Sequence, residues 1–112
     1  MNWIDLTSLS QWEEIMKASE KRPFVVFKHS TRCSISSMAK NRFEREWKGD
    51  GDIDAYYLDL LNHRDISNAI ADQTGVEHQS PQAILIKNGK AIYNESHTAI
   101  YVQDIIEAST AA

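Results

Sequence analysis

Cys33 is the only cysteine of this 112-residue chain, and its surroundings make it a candidate nucleophile. It follows an apolar run at residues 24–27 and a short polar turn, and a segment with helical periodicity comes directly after it. A thiol at the start of a helix meets the positive end of the helix dipole and free backbone N–H groups, and both favour the thiolate. Since the thiolate is the attacking form, we predict a reactive thiol at Cys33 rather than a buried structural cysteine.

The residues near Cys33 determine which thiol reactions are possible. Arg32 places a positive charge beside the sulfur and is predicted to stabilise the thiolate. Ser36 stands where a dithiol enzyme would carry its second cysteine, so the chain cannot resolve a disulfide by itself. Two interpretations of Ser36 remain: a solvated helix residue or secondary cap, or a hydroxyl that donates to the Cys33 thiolate from one turn along.

Composition and charge exclude several classes of function. The length is that of one domain, and the formal charge of −4 argues against nucleic acid as a partner. No apolar run approaches the length that spans a bilayer, and the first residues lack the pattern of a signal peptide. One cysteine cannot form an internal disulfide. We therefore expect a single-domain cytoplasmic protein, residues 1–112, that binds neither nucleic acid nor membrane.

Apolar periodicity divides the chain into alternating strands and helices. One apolar stripe, Ile35, Met38, Ala39, Phe43 and Trp47, runs along the helix that follows Cys33. In chain order the pattern predicts a short strand at residues 3–6, a helix capped by Ser8 or Ser10, a strand at 24–27, a helix at 33–47, a turn at 49–52, a strand at 55–60, a helix capped by Asn62 and ended by Gly75, a hairpin at 82–94 that turns at Asn88-Gly89, and a helix from about residue 99.

This order predicts an α/β fold with a mixed central sheet and about four flanking helices. A strand–helix–strand half gives parallel strands with a right-handed crossover, and the hairpin adds antiparallel strands. Cys33 then lies at the C-terminal end of a central strand, which is the edge where open α/β sheets place their ligands.

The layout is similar to the thioredoxin fold, and two local features support the resemblance. Cys33 lies at a strand-to-helix turn, and Ser80-Pro81 comes directly before the third core strand. Thioredoxin-like proteins carry a cis-proline there, packed against the active-site sulfur, so the resemblance implies a cis Pro81 and a Ser80 backbone that pairs with an extended substrate. Thioredoxins also carry a buried acid at the position of Phe27, whose apolar side chain is most simply core and fits an enzyme without a second cysteine.

The chain resembles one branch of these proteins more closely, the YtxJ-type monothiol bacilliredoxins. One departure is Ser34, since many members have proline directly after the cysteine. The stretches that carry the resemblance are Thr31-Arg32-Cys33-Ser34-Ile35-Ser36, His78-Gln79-Ser80-Pro81-Gln82, Lys87-Asn88-Gly89-Lys90 and Ser96-His97.

The resemblance implies an enzyme, a monothiol thiol–disulfide oxidoreductase with Cys33 as its catalytic residue. It would remove a low-molecular-weight thiol, bacillithiol or a similar compound, from S-thiolated client proteins through a mixed disulfide. That small thiol would be a co-substrate, with no tightly bound cofactor. Related glutaredoxin folds hold the thiol cofactor before the last helix, so Ser96 and His97 are predicted to bind substrate. The predicted binding set is Thr31, Ser80, Pro81, Ser96 and His97.

Three histidines, His29, His78 and His97, flank loops that this fold would bring toward Cys33. No pair of them has the short spacing of a zinc motif, so we predict no metal site. They are interpreted as surface histidines or as a positive rim for an anionic thiol.

Two other classes of function stay open. One is an iron–sulfur carrier like the monothiol glutaredoxins, although those proteins carry Gly-Phe where this chain has Ser34-Ile35. The other is a thioredoxin-fold binding module without turnover, which would use Pro81 and the neighbouring edge to hold its partners.

Overall fold

The computed structural model describes residues 1–47 and 53–111, so the turn predicted at residues 49–52 lies outside the described residues. The predicted order of strands and helices is confirmed. No helix in the described ranges is long and apolar enough to cross a bilayer. In chain order the elements are β1 (Ile4–Asp5), α1 (Leu9–Ala18), β2 (Phe24–His29), α2 (Ser34–Glu46), β3 (Asp54–Asp59), α3 (Arg64–Thr74), β4 (Gln82–Lys87), β5 (Lys90–Ser96), a 3-10 turn (His97–Ala99) and α4 (Val102–Ala111).

The five strands of the described residues form one mixed sheet in the order β1-β3-β2-β4-β5. β1 and β2 run parallel to β3, while β4 is antiparallel to both β2 and β5. Lys28 of β2 pairs with Gln82 of β4, and Gln82 pairs with Ser96 of β5. The end of β2, the start of β4 and the end of β5 therefore meet at one edge of the sheet.

Two apolar layers cover the two faces of the sheet, because side chains alternate along a strand. Val25 and Phe27 of β2 pack in a layer with buried residues of α2 and α4. Phe24 and Val26 pack on the other face, in a layer with buried residues of α1 and α3. Phe27 is thus a core residue, as its apolar character predicts.

Local turn chemistry explains several boundaries. Ser8 is the N-cap of α1 and accepts the Gln11 N–H, so the alternative cap Ser10 is not used. Gly75, at a φ of 73°, ends α3 as predicted. Asn88 and Gly89 both have positive φ, 54° and 71°, which is the backbone of a tight hairpin turn and confirms that prediction.

Two helix starts differ from the prediction. α3 begins after His63 rather than after Asn62, because the Asn62 amide donates to Asp59 instead of capping the helix. The last helix begins at Val102 rather than near residue 99, because the 3-10 turn intervenes. One part of the predicted stripe on α2 is also not core: Ile35 and Met38 remain exposed.

Candidate active site

Cys33 is the N-cap residue of α2 and is partly exposed. Its N–H donates to the Ser30 carbonyl at 3.1 Å, and its own carbonyl accepts the Ser37 N–H at 3.1 Å. An N-cap side chain is placed where an acceptor reaches the amides of the first helical turn. The backbone therefore puts the thiol at the positive end of α2, as the sequence predicts.

Ser36 is fully buried, so it is not the solvated residue that one interpretation expected. Its hydroxyl oxygen accepts the Ser30 N–H at 3.1 Å and lies 2.7 Å from Nδ1 of His29. Among the described contacts, no hydrogen bond joins this hydroxyl to Cys33. Ser36 instead ties the turn before Cys33 to the end of β2.

His29 is buried as well, which corrects its interpretation as a surface histidine or part of a positive rim. The residue is 5% exposed, and its ring lies near the rings of Phe27 and Tyr57, with centroids 6.5 and 5.7 Å away. Burial, helped by the charge of Lys40, lowers the pKa of His29 below its ordinary value. The imidazole is therefore neutral near pH 7 and shares a neutral hydrogen bond with Ser36.

Pro81 follows a cis peptide bond, as the resemblance implies, and its side chain is buried. Its carbonyl accepts the His97 N–H at 2.9 Å, which joins the 3-10 turn to the start of β4. Within the described part of the chain, the Ser80 N–H and carbonyl have no hydrogen-bond partner. The Ser80 hydroxyl oxygen is buried and also unpartnered.

A polar cluster with a buried lysine and a buried serine supports the loop that leads to Pro81. Lys28 has no exposed surface, and its ammonium group lies 3.4 Å from the Ser67 carbonyl and 3.5 Å from Nδ1 of His78. The Ser67 hydroxyl lies 3.2 Å from the same nitrogen. We call Lys28, Ser67 and His78 the Lys28 cluster.

Gln82, beside Lys28 in the sheet, holds the same loop from its other end. Its buried side-chain amide donates to the Glu77 carbonyl at 3.0 Å, and its amide oxygen accepts the Gln79 N–H at 3.4 Å. Together with the Lys28 cluster, these bonds fix residues 77–79, directly before Ser80 and Pro81.

Burial sets the charge state of the Lys28 cluster. It lowers the pKa of Lys28 from 10.5 to about 8. Burial and the nearby positive charge of Lys28 also lower the pKa of His78. At pH 7 the cluster thus combines an ammonium donor with a neutral imidazole, whose Nδ1 serves as an acceptor.

The remaining predicted site residues lie at the same edge of the sheet. Thr31 and Arg32 are exposed in the turn before Cys33. Ser96 ends β5 opposite Gln82, and His97 is exposed at the start of the 3-10 turn with a φ of 56°. The structure therefore gathers the Cys33 turn, the Pro81 loop and the 3-10 turn around one edge.

Sequence reasoning missed the residues that support these loops. Lys28 sits in an otherwise apolar strand, and a cation there was the available signal of a buried polar cluster. Gln82, a polar residue directly after Pro81 in a buried strand, was a second signal. Ser67 carried no signal, since serine on a helix is usually exposed.

Solved structures of similar shape define the class of protein. A structure described as having a thioredoxin fold, with a proposed oxidoreductase activity, superposes with a TM-score of 0.81 at 37% identity, covering 95% of this chain and 92% of that one. Fasciola hepatica thioredoxin superposes at 0.72 with 16% identity, covering 96% of each chain. Malassezia sympodialis thioredoxin gives 0.71 at 18% identity, covering 97% of this chain and 90% of that one. The fold is that of thioredoxin.

A family model narrows the class further. The model of the monothiol bacilliredoxin BrxC matches residues 4–105. The chain belongs to this monothiol bacilliredoxin family, and fold and family together make it a thioredoxin-fold oxidoreductase.

Proposed function

We propose that this protein removes a low-molecular-weight thiol from S-thiolated proteins through a mixed disulfide on Cys33. The observation that carries the proposal is a single, partly exposed thiol at the N-cap of α2, with Ser36 in place of a second cysteine. A lone thiolate at this position can attack and carry a small thiol, but it has no internal partner for release.

The reaction consists of two thiol–disulfide exchanges. The Cys33 thiolate attacks the small-thiol sulfur of the client's mixed disulfide, the S–S bond breaks, and the client leaves as a thiolate that takes a proton from water. Cys33 is left in a mixed disulfide with the small thiol. A second small thiol, or a partner reductase, then attacks this disulfide and regenerates Cys33; where a small thiol attacks, it leaves as a symmetric small-thiol disulfide.

Ser36 and Arg32 support the thiolate in this scheme. The Ser36 oxygen already accepts the Ser30 N–H. In the tautomer with its proton on Nδ1, His29 also donates to this oxygen, so Ser36 acts on Cys33 through the turn that it holds rather than by a direct bond to the sulfur. Arg32, exposed beside the thiol, adds a positive charge that favours the thiolate.

The edge beside Cys33 offers places for the two parts of the substrate. The unpartnered Ser80 N–H and carbonyl are free to pair with an extended client segment beside Pro81, in the manner of an added strand. Thr31, Ser96 and His97 are exposed or partly exposed polar groups at the same edge and suit the small thiol. The family name suggests bacillithiol as that thiol, a co-substrate rather than a bound cofactor.

The test is direct dethiolation. A purified client protein carrying bacillithiol on a single cysteine is incubated with the enzyme, and both proteins are followed by intact mass. We expect the client to lose the thiol and Cys33 to gain it. An unchanged client mass, or an equal rate with the Cys33→Ser variant, would refute the proposal.

A further inference from the structure

The apolar stripe of α2 is only partly covered by the rest of the protein. Ala39 and Phe43 are buried against the sheet, whereas Ile35 is 47% exposed and Met38 is 70% exposed. Both exposed residues lie in the first two turns of the helix that carries Cys33 at its N-cap. Large apolar side chains exposed together beside a reactive group indicate a contact surface.

These side chains line a groove between α2 and the 3-10 turn, with a cavity volume of about 180 Å³. Ile35, Met38 and Ala39 form its apolar part. Its titratable lining residues within the described chain are Arg42, Arg45 and His97, all of them basic types. The chain as a whole carries a formal charge of −4, so the charge at this groove is opposite to that of the molecule.

Arg42 fixes one wall of the groove. Its guanidinium donates to the carbonyls of Thr98 and Ile100, which follow β5, and it lies 4.5 Å above the ring of Tyr101. Because these bonds hold the 3-10 turn against α2, the groove is formed before any partner binds. A preformed site loses less conformational freedom on binding.

We propose that this groove binds the client polypeptide, taking one apolar side chain near the S-thiolated cysteine together with an acidic residue about three positions beyond it. The inference rests on the proposed function and names the substrate feature that the enzyme recognises. The apolar floor offers no hydrogen bonds to a hydroxylated, charged small thiol, whereas it suits a leucine or phenylalanine side chain. Met38 is also suited to varied clients, since methionine adapts to surfaces of different shape.

The helix sets the spacing that a client must have. Met38 lies five residues after Cys33, about 7.5 Å along the helix axis at about 1.5 Å per residue. An extended client segment covers about 3.3 Å per residue, so the apolar side chain belongs two or three positions from the modified cysteine. Arg45 lies a further two turns, about 10.5 Å, along the helix, so the acidic client residue that faces it belongs about three positions beyond the apolar one.

The experiment compares two peptides that carry bacillithiol on one cysteine, with leucine or glycine three positions away and a glutamate about three positions beyond that. The readout is the ratio of kcat/KM for the leucine peptide to that for the glycine peptide. We expect a ratio of about ten for the unmodified enzyme, since burial of one apolar side chain contributes about that factor. In Met38→Gln the ratio falls toward one. Leu9→Gln, which changes a similarly exposed residue on α1, keeps the ratio and serves as the matched control.

Several results would overturn the inference. A ratio near one in the unmodified enzyme, or an unchanged ratio in Met38→Gln, shows that the groove does not recognise the apolar side chain of the client. Equal slowing of both peptides by Met38→Gln places the small thiol in the groove instead. If neither peptide is turned over, the proposed function fails. Binding of the two peptides to the Cys33→Ser variant then tests the groove separately, and equal affinities for the two peptides would reject the inference.

Discussion

Lys28 and His29 are consecutive residues of β2, and each supports one of the two loops at the active edge. Because side chains alternate along the strand, Lys28 reaches the loop before Pro81, whereas His29 reaches the turn before Cys33. Both side chains are buried, with exposures of 0% and 5%. The two supports nevertheless differ in charge and in the length of their bonds.

The His29 support is neutral and short, while the Lys28 support is charged and long. His29 makes a 2.7 Å contact with Ser36, and burial keeps its ring neutral. Lys28 is an ammonium group with contacts of 3.4 and 3.5 Å, and no carboxylate of the described residues forms an ion pair with it. A buried charge without a counter-charge costs free energy, so the Pro81 loop is held at the expense of stability. The Cys33 turn is held without such a cost.

The largest expected effect comes from introducing a second thiol at Ser36, the residue that His29 contacts. In Ser36→Cys the introduced thiol lies one turn from Cys33, and residues so spaced fall within the Cα separation of about 4.4–6.8 Å that a disulfide needs. We expect the variant to form an internal disulfide and to release the small thiol that the unmodified enzyme retains. Intact mass after exposure to a bacillithiolated client checks this.

Ser37→Cys is the matched control for that experiment, because it introduces a thiol at the next, partly exposed position. Persistence of the small-thiol adduct in Ser36→Cys, as in the control, would show that the buried position is not accessible to the Cys33 disulfide.

The next largest effect concerns the charge of Lys28. Its pKa is about 8 in the folded protein and 10.5 as the reference value, so the unfolded chain binds more protons between these two pH values. The free energy of unfolding should therefore rise with pH from about 8 to 10.5, by up to about 3 kcal/mol relative to Lys28→Met. Below pH 8 the penalty of the buried ammonium is fully present.

Urea unfolding of both proteins across this pH range measures the difference. Tyr56, Tyr57 and Tyr93 also have raised pKa values, mainly through burial, but they are common to both proteins and cancel in the comparison. Parallel pH profiles for the two proteins would contradict a buried, unpaired ammonium group.

Removing the neutral His29 support should lower the free energy of unfolding, whereas removing the Lys28 charge should leave it unchanged or raise it. The expected change at His29 is smaller than the pH effect at Lys28. His29→Leu leaves the buried Ser36 hydroxyl without its side-chain partner, so we expect a loss of about 2 kcal/mol in the free energy of unfolding at pH 7. Lys28→Met should be neutral or stabilising under the same conditions, because it removes a buried charge. Urea unfolding midpoints give both values.

The double variant His29→Leu/Ser36→Ala tests whether His29 and Ser36 stabilise the protein through their mutual contact. If the two side chains stabilise the turn mainly through each other, the double variant is less destabilised than the sum of the single variants. Additive losses would mean that the 2.7 Å contact contributes nothing of its own.

The smallest effect is expected at His78. Its contacts with Lys28 and Ser67 are long, 3.5 and 3.2 Å, and the residue is exposed on one side, so His78→Ala should cost less than about 1 kcal/mol at pH 7. Because its folded pKa is lowered, the contribution of His78 is present above the unfolded value and is lost as the pH falls below it. The two proteins should thus converge in stability on acidification below about pH 6.5. A constant difference down to pH 5 would contradict this assignment.

Much of the fold was predictable because its signals are local. Gly75 ends a helix and Asn88-Gly89 turns a hairpin through backbone preferences that depend on a few neighbouring residues. Where the prediction was wrong, a competing contact prevailed, a local one at Asn62 and distant ones at the 3-10 turn. The Asn62 side chain bonds to Asp59 instead of capping α3. The 3-10 turn, which shifts the start of α4 to a later residue, is hydrogen-bonded to Pro81 and Arg42.

By itself, the sequence determined the strand and helix order, the place of Cys33 at a helix start, and the absence of a second thiol at Ser36, since these depend on periodicity and residue identity. Only the tertiary structure decided what supports that thiol. The partners of Ser36 and Lys28 lie 6 to 50 residues away along the chain, and Met38 is left exposed by the way α2 meets the 3-10 turn. Such contacts depend on which face of β2 each residue occupies and which loop lies over it, and no local pattern specifies that pairing.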